Sequence, residues 1–309
     1  MRLKTRIIIL TIILISYSNI FSQEYKVKYG KISENLRAIV DIDKMGFNDD
    51  KGFMKLVPFF DFPENYDGTL PFFNEGLCLY FKKQDSVESN GSYNFGFINS
   101  NFEVVIPAIF PYWGFYCDGF PTKFVNDRAI ASLSSDKYTL INKKGELIGD
   151  PFEYSIYFLA ACGYYPEISE GLVAASKNTQ FGYLNPINGK TAIPFKYSLA
   201  GPFSDGIAAV EINQQYLTFI DKTGNVVINK KFYTKKRGVK GVSIYHDGDG
   251  DGHPGKYING KIFIRYFDND GYGKRVFALV DRKGNVFKKT TSEKYFEDPV
   301  FKKYLDVEE

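Results

Sequence analysis

One order of elements recurs down this chain, and it constrains the fold more than any single residue does. Ile168-Ser169-Glu170-Gly171-Leu172-Val173-Ala174 leads to Phe181-Gly182-Tyr183-Leu184-Asn185, then Gly189, then Ala192-Ile193-Pro194-Phe195. The next stretch repeats it as Phe203-Ser204-Asp205-Gly206-Ile207-Ala208-Ala209-Val210, followed by Phe219-Ile220-Asp221 and Gly224-Asn225-Val226-Val227-Ile228. Gly171 and Gly206 lie 35 residues apart. Upstream, Phe73-Asn74-Glu75-Gly76-Leu77 precedes Phe95-Gly96-Phe97-Ile98-Asn99 and Val104-Val105-Ile106-Pro107. Gly96, Thr139 and Gly182 are then spaced at 43 and 43. Phe277 to Phe287 repeats the last part, and a worn copy is read over Ser33 to Phe60. Periods of this size belong to repeat architectures.

Each unit has a physical reading. The aromatic-Gly-aromatic run alternates its side chains between two faces and predicts a short strand. The Asp or Asn that ends it bonds its own downstream backbone, and the Gly a few residues later accepts positive φ, so a hairpin turn follows. Apolar residues after that Gly form the return strand. Pro107 and Pro194 are expected to close it, because proline cannot donate to a central ladder. The glycine in the first strand marks close approach by a neighbouring ring or backbone. A single unit is too small to bury a face, so neighbours must stack. The expected fold is all-β, with tandem three-strand units stacked as a solenoid-like array and a propeller-like closure as the alternative. Asp298-Pro299, with Val300, Phe301, Tyr304 and Leu305 behind it, predicts a short C-terminal helix with proline in its first turn, placed to cap the array.

The pattern resembles the WG repeat family, whose units read roughly Phe-x-Glu-Gly-Leu-Ala, Gly-Tyr-Ile-Asp, Gly and Ile-Pro. The likeness covers Phe73 to Ile228 and, in part, Val276 to Phe287. Phe95, Tyr138, Phe181 and Leu217 stand where the family has its Trp. The resemblance implies an exported or surface-associated protein that mediates interactions, with no enzymatic reaction.

The first residues fix the expected compartment. Arg2, Lys4 and Arg6 precede an apolar run from Ile7 to Ile15, and a polar stretch leads to Gln23. That is the layout of a signal peptide over residues 1–22, and the apolar run is too short to span a bilayer of roughly 30 Å. The mature chain is expected to be secreted or periplasmic and not an integral membrane protein. Losing that segment removes three of the 39 basic residues and leaves 36, against 36 acidic ones. A neutral balance gives no support for nucleic-acid binding. Cys78, Cys117 and Cys162 fit no metal spacing and read as buried thiols, or as one disulfide with a leftover thiol. The chain divides into the signal peptide, an N-terminal β segment (23–72), the repeat array (73–230), a further repeat with an Asp/Gly-rich insertion (231–290) and a C-terminal cap (291–309).

Two places carry ligand character. His246 to His253 alternates Asp247, Asp249 and Asp251 with glycines, as a calcium loop does, and Asp268 and Asp270 are placed to complete such a site. The twelfth position holds Ile258 where a bidentate Glu belongs, so a solvated insertion is the competing reading. Both histidines of the chain lie in this loop, which also brings zinc or nickel into question. The aromatic cluster Tyr112, Trp113, Phe115 and Tyr116 is the first choice for a contact patch on a glycan or peptide, against plain packing between units. Lys235-Lys236-Arg237 reads as a solvated strand end. Glu75, Glu170 and Asp205 recur at equivalent positions, which favours a turn role over a pair of glycosidase acids. The expected partner is a protein or cell-envelope component. Glycan or peptidoglycan binding and an acidic envelope hydrolase are the competing functions.

Overall fold

A computed structural model describes residues 27–64, 66, 69–84, 92–112, 122–134, 137–150, 167–239 and 255–305. Within them the chain forms six antiparallel units, apart from one short helix and two single 3₁₀ turns. Unit 1 holds β1 (Lys28–Ser33), β2 (Leu36–Asp41), β3 (Lys44–Asp49) and β4 (Met54–Asp61), so the worn N-terminal copy is a complete unit. Unit 2 holds β5 (Leu77–Lys83), β6 (Tyr93–Asn99) and β7 (Val104–Tyr112). Unit 3 holds β8 (Arg128–Ser134), β9 (Lys137–Asn142) and β10 (Leu147–Ile148). Unit 4 holds β11 (Ile168–Ser169), β12 (Leu172–Lys177), β13 (Gln180–Leu184) and β14 (Thr191–Tyr197). Unit 5 holds β15 (Leu199–Ala200), β16 (Ile207–Ile212), β17 (Tyr216–Asp221) and β18 (Val226–Tyr233). Unit 6 holds β19 (Tyr257–Ile258), β20 (Lys261–Phe267), β21 (Arg275–Asp281) and β22 (Val286–Thr290).

Every unit opens on a two-residue turn with both residues at positive φ. The pairs are Glu34-Asn35, Glu75-Gly76, Asn126-Asp127, Glu170-Gly171, Asp205-Gly206 and Asn259-Gly260. Asn, Asp and Gly tolerate that backbone, which matches the right-handed twist of the strands it joins. The second turn is an Asx turn. The Oδ1 of Asp49, Asn99, Asn142, Asp221 and Asp281 accepts backbone N–H groups two and four residues on.

The return strands are bulged opposite the strand glycines. A Cβ on Gly96 would lie 2.3 Å from the Ile106 carbonyl oxygen, and one on Gly182 would lie 2.6 Å from that of Ile193. The close approach is therefore to backbone. Pro107 and Pro194 sit inside β7 and β14 rather than closing them. They are exposed, at a bulge of the unit's last strand, where a missing N–H costs no ladder bond.

Faces stack unit on unit. One apolar cluster joins units 1 to 3, a second joins units 3 and 4, and a third joins units 4 to 6. In units 3, 5 and 6 the glycine of the Asx turn seats on the preceding unit. A Cβ on Gly145 would lie 2.9 Å from Ile106, on Gly224 3.1 Å from Ile193, and on Gly284 2.5 Å from Ile228. By register, Lys288 in unit 6 occupies the place of those isoleucines. There the C-terminal segment replaces a further unit. Helix α1 (Pro299–Lys302) is capped by Asp298, which accepts from the Val300 N–H and pairs with Lys288. Phe301 is fully buried, and Tyr295 stacks on Phe263 and Phe277 at 5.0 and 4.3 Å. No helix among the described residues is long and apolar enough to cross a membrane.

Candidate functional site

The sequence-predicted contact patch is not an exposed surface at its one described member. Tyr112 is 8% exposed, with its ring 5.0 Å from Phe81 and 6.2 Å from Tyr66, so it packs inside the array. It stands at the end of β7, where the return strand turns its last side chain into the core. Trp113, Phe115 and Tyr116 lie outside the described residues, as do His246, Asp247, Asp249, Asp251 and His253. Asp268 and Asp270 are described in the β20–β21 connection. Asp268 closes that loop through its carbonyl, which accepts from the N–H groups of Gly271 and Gly273, and Asp270 is exposed at positive φ. No group of three metal-ligating side chains occurs among the described residues. Cys78 is buried as a free thiol, and burial pushes its pKa well up.

The recurrent acids form one rim of the array, where the opening turns lie side by side. The Glu34 carboxylate accepts from the Gly76 N–H at 3.0 and 3.1 Å. Glu75 accepts from Asn126 and Asp127 at 2.6 and 2.9 Å. Glu170 accepts from Gly206 at 3.2 and 3.1 Å. The residue before the turn adds a second link. The Ser33, Ser169 and Ser204 hydroxyls donate to the carbonyls of Phe73, Phe203 and Tyr257, and the Asn74 amide donates to that of Phe124. Cations reach back from the Asx turns, Lys143 to Glu75 and Asp127, and Lys222 to Glu170. Partial burial alone would raise the Glu170 carboxyl. Lys222 and the turn N–H groups outweigh it and hold the carboxyl below its ordinary value. These acids clasp neighbouring units.

By strand direction, the opposite rim carries the β16–β17 and β20–β21 connections. There, at the junction of units 5 and 6, lies a cleft of about 440 Å³. Gln215, Tyr233, Lys235, Lys236, Arg237 and Tyr272 line most of it. Hydrogen bonds hold its walls on both sides. The N–H groups of Thr234 and Lys235 donate to the Gln215 carbonyl, and the Arg237 N–H donates to that of Gly271 at 2.8 Å. The Lys236 ammonium donates to the carbonyls of Tyr272 and Gly273, tying the unit 6 loop to unit 5. The Arg237 guanidinium sits 5.5 Å from the Tyr233 ring centroid and 5.2 Å from that of Tyr272. Two aromatic faces thus fix the direction of its donor fork.

A family model described as "WG containing repeat" matches residues 95–119 and 181–216. The chain carries WG repeats. The matched segments begin at Phe95 and Phe181, the first residues of the Gly96 and Gly182 strand motifs, and the second runs through the opening turn of unit 5 into β17. No curated protein matches the chain. Among solved structures, apo AztD from Citrobacter koseri is similar at 12% identity and a TM-score of 0.45, over 86% of this WG-repeat chain and 73% of that one. BamB from Moraxella catarrhalis gives 9% identity and a TM-score of 0.36, over 86% and 87%. The WD40 β-propeller domain of Doa1 gives 13% and 0.35, over 87% and 84%.

Proposed function

We propose that this WG-repeat protein is exported and acts without catalysis as a scaffold that binds a protein or cell-envelope partner. The observation that carries this reading is the cleft between units 5 and 6, a preformed concavity held on both walls by backbone hydrogen bonds. A rigid concave site on a repeat array limits the ordering cost of binding. The basic start and short apolar run of residues 1–22 support export. The acids that would suggest a hydrolase, Glu75 and Glu170, are engaged by neighbouring turn amides and lysines. Two experiments test the reading. Fractionation of cells expressing the full chain should place it outside the cytoplasm in processed form. Native mature protein used as bait should recover one envelope component in stoichiometric amount. Retention in the cytoplasm, or equal recovery by heat-unfolded bait, would overturn it.

A further inference from the structure

We infer that the cleft between units 5 and 6 binds a carboxylate side chain of an acidic peptide segment, with Arg237 as its anchor. This rests on the scaffold reading and names the chemistry of its partner.

Three features carry the inference. Arg237 is exposed and lies between Tyr233 and Tyr272, so its guanidinium is oriented before any ligand arrives. A planar fork matches a planar carboxylate in a bidentate pair, and fixing the side chain in advance lowers the cost of binding. Lys235, also exposed, lines the same cleft and supplies a second positive charge, while Gln215 adds an amide. Lys236 is already engaged by the two loop carbonyls, so it shapes the site and is not offered as a contact.

The surroundings choose among anions. With Lys236 engaged, the residues lining the cleft offer two exposed cations, Lys235 and Arg237, which suits one or two carboxylates better than the long run of phosphates of a nucleic acid. Both tyrosines already carry the guanidinium against the ring, which leaves an acidic sugar less aromatic face to stack on. A cleft of about 440 Å³ accommodates a few residues of an extended segment.

The test is fluorescence polarisation with the mature protein and a labelled Gly/Ser-rich peptide carrying three consecutive glutamates, beside the same peptide with glutamines. Arg237→Gln and Lys235→Gln are exposed changes, and their melting curves should match the parent. The glutamate peptide should bind. The glutamine peptide and the Arg237→Gln variant should each lose at least about tenfold in affinity, and Lys235→Gln less. Equal binding of the two peptides, or undiminished binding by Arg237→Gln, overturns the inference. Stronger competition by an oligogalacturonate or by pyrophosphate than by the glutamate peptide overturns it as well, in favour of those ligands. If Arg237→Gln still recovers the envelope partner of native bait, the scaffold reading stands and the cleft assignment falls.

Discussion

The Glu170 carboxylate accepts the amide hydrogen of Gly206 at 3.2 and 3.1 Å across 36 residues of chain, joining the opening turns of two adjacent units. Hydrogen bonds to an ionised acceptor contribute more than neutral ones, but this pair is partly solvated. Replacement by alanine should therefore cost about 1–2 kcal/mol in urea unfolding. Glu34 makes the equivalent bond to Gly76 of the next unit, and Glu75 to Asn126 and Asp127 of the next.

The clasp also predicts an acid dependence with a definite sign. Burial pushes the Glu170 carboxyl up, but Lys222 and the turn amides depress it below the unfolded value. A depressed carboxyl stabilises fully above the ordinary Glu value of about 4.3, and that contribution is lost as pH falls through the folded value. The parent melting temperature should drop more steeply than that of Glu170→Gln from about pH 6 to about pH 3. Parallel curves would remove the clasp from the stability of the array.

At the strand glycine, equivalent positions should respond differently. A Cβ on Gly96 would meet backbone at 2.3 Å, so Gly96→Ala should cost about 2–3 kcal/mol. Unit 5 has Thr218 at the same register, and its hydroxyl donates to the Ile228 carbonyl across the bulge. There Thr218→Gly should cost about 1 kcal/mol, from the lost hydrogen bond and added chain entropy. Gly52 has no atom within 4 Å of a built Cβ, and Gly52→Ala should show only the strain of its positive φ, about 1 kcal/mol. Chemical denaturation of the three variants gives the ranking.

Much of this was legible in the sequence because it is local. Gly at positive φ, Asp and Asn bonding their own backbone, and apolar alternation all act within a few residues, so the Asx turns and strands read out directly. The turn role of Glu170 followed from recurrence, but its partner, Gly206 of the next unit, is set by stacking. Pro107 was placed one step wrong because an outer bulged strand accepts a proline that a central ladder rejects. Tyr112 looked like surface because a run of aromatics carries no record of which side faces the core. The cleft was missed altogether. Lys235 and Arg237 read as a solvated strand end, and only the fold brings Tyr272 from another unit beside them.

The C-terminal segment should act as a stopper whose loss makes the array associate. In unit 6 the outward face carries Phe263 and Phe277, which the neighbouring unit would cover elsewhere. Tyr295 and the fully buried Phe301 cover them instead, and Lys288, where internal units have isoleucine, holds Asp298. Burial alone gives Phe301→Ala a cost of about 3–5 kcal/mol if the whole array feels it. Because the contact is terminal, the first effect should be local opening, seen as faster amide exchange in β21 than in β16. A chain ending at Thr290 would expose a stackable apolar face and should associate with itself in sedimentation at rising concentration. Monomeric behaviour of that truncated chain, with unchanged exchange in β21, would show that the segment does not seal the array.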